Sequence, residues 1–146
     1  MKTAKEIVGK WLADLQKQHE FNVGQVAESA ERLGQPNTWH NLSDVEMNLT
    51  AARIGEVVRN DTAALCEVLK LDLTDEQVVG QVVDTRDRAV DNLIRAHSSS
   101  MGSPGDGWQV SHFIKATAAA RVAQSCNWLL KEIAVQSVPD EEDANG

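Results

Sequence analysis

Four charged or titratable side chains, His19, Asp61, Arg86 and Arg121, fall where a helical pattern turns them toward apolar faces. At about 100° per residue, Asp61 lies between Val58 and Leu65 on one stripe. Arg86 lies near the middle of another that runs Val79, Val82, Val83, Val90 and Leu93. His19 sits on the stripe of the first segment, Arg121 at the edge of the last, and Ser125 at that last stripe's centre. By the same phase His97 turns inward and His112 outward. Charges turned toward a core are retained chiefly when paired. Two chemistries are therefore open to the set. A bidentate Asp61–Arg86 ion pair would fix the register of two helices. Alternatively, Arg86, Arg121 and His19 would grip an anion such as a phosphate, with Asp61 in the same layer, between helices where bundles place their ligands.

Other groupings are weaker. Asp84, Asp87 and Asp91 share one face with a spacing that suits a divalent cation. That face is rotated about 115° from the apolar stripe and reads as a solvated flank. The run Ser98–Gly107 offers hydroxyls and amides ahead of a helix start. It lacks the spaced glycines and the lysine of a phosphate loop, so it reads as an ordinary connection. Cys66 and Cys126 have no metal-type spacing and no adjacent base, as expected of reduced cytoplasmic thiols. No triad or metal cluster stands out, so no cofactor is expected and an enzyme is the less favoured class.

The elements that must position these residues are four long helices in an up-down-up-down bundle. Thr3 with Glu6 forms a capping box and opens a helix over about 3–33. Its stripe is Val8, Trp11, Leu12, Leu15, Val26, Ala30 and Leu33, with a break at Phe21–Asn22 as the alternative to one continuous rod. Ser43 with Glu46 opens a second helix over about 43–71, and Thr74 with Gln77 a third over about 75–97. The last covers about 109–137 and is rich in alanine. If the second and third helices turn back on each other about residue 73, Asp61 and Arg86 meet at one height. Residues 1–138 then form one domain, and 139–146 an acidic tail expected to be disordered.

Net charge is −8, and Asp140, Glu141, Glu142 and Asp143 supply half of it. An acidic body repels phosphate backbones, which argues against direct nucleic-acid binding. No stretch approaches the 18 apolar residues of a membrane span, and the opening segment is amphipathic rather than a signal core. A cytoplasmic location is expected.

Residues 33–97 resemble the all-α MazG-type nucleotide pyrophosphohydrolases through Gly34 and Pro36, then Gly55-Glu56-Val57-Val58-Arg59, then Gln81-Val82-Val83-Asp84. That family holds magnesium beside a nucleoside triphosphate with Glu-Glu-x-x-Glu and a later Glu-x-x-Asp. Here only Glu56 and Asp84 match, while Gly55, Arg59 and Gln81 replace three carboxylates. The resemblance therefore implies a degenerate, inactive copy. Residues 86–136 resemble the helical-hairpin sponges by which phages sequester cyclic nucleotides. The shared features are the Ser/Gly/Pro loop and the run from Ala123 to Trp128.

The leading expectation is a non-enzymatic binding protein, an inhibitor or adaptor of the kind phages carry, acting on a protein partner through helical surfaces and able to form a homodimer. A degenerate MazG-like enzyme and a sponge for a nucleotide or other small anion are the alternatives.

Overall fold

Thr3 and Glu6 form the reciprocal cap that their spacing predicts. The Glu6 N–H donates to Thr3 Oγ1 at 3.1 Å, and the Thr3 N–H donates to Glu6 Oε2 at 2.9 Å. Helix α1 then runs unbroken over Ala4–Arg32. It ends in turns at Leu33 and Gly34, whose N–H groups reach back to Ala30 and Glu31. The computed structural model describes residues 1–35, 39–101 and 106–137. The expected tail and the tip of the Ser98–Gly107 connection lie outside them.

Among the described residues the chain is all-α, with no strand, and has five helices rather than four. Helix α2 spans Trp39–Asp61, starting four residues before the expected Ser43. The expected second helix is also interrupted. It stops at Asp61, and a short α3 takes over at Ala63–Val68. Thr62 between them has φ −100° and ψ 0°. Its buried hydroxyl donates to the carbonyls of Val58 and Arg59 at 2.9 and 3.3 Å. Such back-bonding competes with the helical ladder and bends it.

Thr74 and Gln77 cap α4 reciprocally at 2.9 and 3.2 Å. This helix runs Asp75–Met101, past the expected end at 97, so Ser98 to Ser100 are helical rather than loop. The last helix, α5, spans Asp106–Ser137. No helix among the described residues is long and apolar enough to cross a membrane.

Packing departs from the expected bundle. Helices α1 and α2 form one antiparallel hairpin, clasped where Asn48 Nδ2 donates to Ser29 Oγ and to the Gln25 carbonyl at 3.2 and 3.3 Å. Helices α4 and α5 form the other hairpin and share the most extensive contact in the molecule. Helix α2 packs on α1 and α5, while α3, not α2, is the part that rests on α4. The expected hairpin about residue 73 is therefore absent, because the bend at Thr62 redirects the chain. One groove beside α2 is lined by residues 110–115 of α5 and another by residues 121–125, which fits α2 lying across α5.

The core gathers Val8 of α1, Ile54 and Val58 of α2, Leu65 of α3, Val78 and Val82 of α4, and Val122, Leu129 and Ile133 of α5. Full burial of a side chain as large as Leu129 is worth about 1.5–3 kcal/mol. The start of α1 is tied to the α3–α4 link. The Ala4 N–H donates to Asp75 Oδ1 at 3.1 Å, and Lys5 Nζ donates to the Leu71 carbonyl at 2.9 Å.

Candidate functional site

On α1, the spacing of Trp11, Leu15, His19 and Asn22 puts all four on one side of the helix. That side meets Ala51, Gly55, Val58 and Arg59 of α2, and Arg121, Gln124 and Ser125 of α5, around a cleft of about 180 Å³. Gly55 makes the meeting close. A Cβ at this position would lie 2.9 Å from His19 Nδ1, so a side chain there would have to displace the imidazole.

The wall of this cleft is cationic. His19, Arg59 and Arg121 line it, with Gln18, Asn22, Gln124 and Ser125 as neutral hydrogen-bonding groups, and none of its described residues is a carboxylate. Neither guanidinium makes an ion pair among the described residues. His19 Nδ1 is buried with no hydrogen-bond partner among them. Four other cations behave differently. Arg32, Arg53, Lys70 and Arg86 each hold a carboxylate within 2.7–3.6 Å, at most four residues away in the chain. Two guanidiniums and an imidazole nitrogen facing one cleft without an acid can do one thing well, which is to receive an anion.

Of the four residues singled out by helical phase, the fold brings together His19 and Arg121. Arg86 is not with them. Its Nε donates to Asp87 Oδ1 at 3.2 Å, and its Nη1 donates to Asn127 Oδ1 at 3.3 Å, on the α4–α5 face. Asp61 is elsewhere too, half-buried at the far end of α2. The expected Asp61–Arg86 pair does not form, because Asp61 precedes the bend that carries the chain onto α4.

Two further corrections concern histidines. His112 is buried, not outward, because the start of α5 is covered by α2 as well as by α4. His97 is exposed, since the outer half of α4 extends beyond the core. The triplet Asp84, Asp87 and Asp91 is exposed, as its phase predicts.

Arg59 is the site residue that helical phase missed. It lies at the edge of its stripe, and its one signal was negative, as a basic residue standing where the MazG-type pattern has a carboxylate. Glu56, a matching position of that pattern, is bound to Arg53 at 3.1 Å and faces a different groove. Asp84 is exposed on α4. Among the described residues no three His, Cys, Asp or Glu side chains gather as a metal site would require.

Cys126 is fully buried, and burial pushes its thiol up to about 11 although the nearby Arg86 charge pulls the other way. It is a protonated core residue, not a nucleophile. Comparison with protein-family models, with curated proteins and with solved structures yields no significant match.

Proposed function

We propose that this chain is a non-enzymatic binding protein whose recognition element is the basic cleft between α1, α2 and α5, and that it takes the phosphate end of a small molecule. The observation that carries this reading is the unpaired state of Arg59 and Arg121, beside a buried imidazole nitrogen, in a wall without a carboxylate. A cleft of about 180 Å³ is smaller than the several hundred Å³ of pockets that enclose whole ligands. It holds a charged end and leaves the remainder outside, with Trp11 and Leu15 as the apolar part of its wall.

Calorimetric titration with inorganic phosphate, pyrophosphate and nucleoside mono- and triphosphates tests the reading. A saturable heat is expected that weakens with salt and is lost in the Arg59→Ala/Arg121→Ala variant. A probe at 100 times its Kd should add about 2.7 kcal/mol of stability. No probe binding below about 10 mM, or binding indifferent to both arginines, overturns it.

A second reading keeps the class and changes the partner. A groove of about 580 Å³ between α2 and the first turns of α5 is lined by Leu49, Val57, Val110 and Ile114, and Phe113 beside it is exposed. Self-association or an adaptor-like contact through these helical surfaces would cover it.

A further inference from the structure

A second cavity, of about 330 Å³, opens where the end of α2 passes the outer halves of α4 and α5. Its wall presents charges of both signs from three helices. Asp61 comes from α2, Arg95 from α4 and Lys115 from α5, with Asn92 of α4 beside them. The buried imidazole of His112 lines the same wall.

These opposite charges do not neutralise one another. Asp61 is within ion-pair reach of neither cation, and neither cation pairs elsewhere among the described residues. On an open surface this would mean little, because exposed ion pairs are worth little in water. Asp61 is not on an open surface. It is half-buried, and burial alone raises its carboxyl above the ordinary value of 3.8, with no cation pulling it back. The cavity wall thus combines a partly desolvated acid with two exposed cations around room for a small molecule.

We infer that this cavity is a second binding site, for a small zwitterion whose ammonium group sits on Asp61 and whose carboxylate or phosphate sits between Arg95 and Lys115. Each charge on such a ligand answers a charge of the wall that the protein itself leaves without a partner. A ligand with one charge would satisfy one side and leave the other as it is. The inference is independent of the basic cleft, which carries no acid and could not seat an ammonium group.

The test is calorimetry on the full chain near pH 7 and low salt, with glycine and β-alanine as zwitterions and with ethylamine and acetate as single-charge controls. At least one zwitterion is expected to bind saturably, and at least about tenfold more tightly than the matching controls. Asp61→Asn should weaken that binding by about tenfold or more, whereas Arg59→Ala/Arg121→Ala should leave it unchanged. Circular dichroism and thermal melting of Asp61→Asn show that the variant is folded. The inference is overturned if no zwitterion binds below about 10 mM, if Asp61→Asn binds as well as the parent, or if the Arg59/Arg121 variant is the one that loses the signal.

Discussion

At Asp61, helical phase gives the direction of the side chain but not its company. The residue faces inward and is half-buried, yet the guanidinium at the matching level belongs to a helix that α2 does not lie along. This changes what a substitution should do. Removing one partner of a buried ion pair costs about 3–5 kcal/mol. Removing a partly buried acid that has no partner should instead help. The sign follows from linkage. Burial raises the folded-state pKa above the unfolded value of 3.8, so the folded protein holds the proton more tightly. Stability then falls as pH rises from below 3.8 through the folded pKa, and the penalty stays in full above it. Asp61→Asn is therefore expected to raise the Tm at pH 7 and to leave it unchanged well below the ordinary carboxylate pKa. A lower Tm at pH 7 would show that Asp61 has a cation partner after all. His112 teaches the same lesson in reverse. Its outward phase is relative to the apolar stripe of the last helix, and the cover it receives near α2 is invisible in that pattern.

Two of the three capping boxes were legible at the scale of elements, because a cap is written in four residues, whereas Ser43 and Glu46 lie inside α2. Thr3 with Glu6 and Thr74 with Gln77 both close as their spacing predicts. The bend at Thr62 was not legible. A threonine in a helical run looks like any other until its hydroxyl is seen turned back on Val58 and Arg59. Gly55 was visible only as a departure from a motif, and the fold gives it a different meaning, as the gap that His19 fills. A double-mutant cycle checks this. Glycine inside a helix is worth about 0.8–1.0 kcal/mol less than alanine. In the His19→Ala background, Gly55→Ala should recover about that much stability. In the parent it should gain less or lose, since the new methyl must displace the imidazole. Equal effects of Gly55→Ala in both backgrounds, measured by urea denaturation, would mean that the two residues are not coupled.

For the whole molecule, fold class could be read from period and caps, whereas the arrangement could not. Assuming that consecutive helices turn back on each other holds for α1 with α2 and for α4 with α5, and fails between them. The same gap hid the basic cleft, since α5 closes it against the α1–α2 hairpin and no pattern along the chain brings α5 there. The arrangement also leaves Met47, Leu49, Val110 and Phe113 exposed toward the outer ends of the hairpins. If these faces cover one another between copies, sedimentation at micromolar concentration should give twice 16.0 kDa, and Phe113→Asp should return the single-chain mass. A lone 16.0 kDa species in the parent at all concentrations would exclude self-association. The core itself carries one more consequence. Ala118, Val122, Ala123, Cys126, Leu129 and Ile133, all on α5, form the largest share of the buried cluster. During synthesis the first four helices therefore leave the ribosome with Val78, Val82 and Val58 still lacking their cover. Only when α5 emerges can the nascent chain close, so the interval before that moment is when it is most open to chaperones and to misassociation.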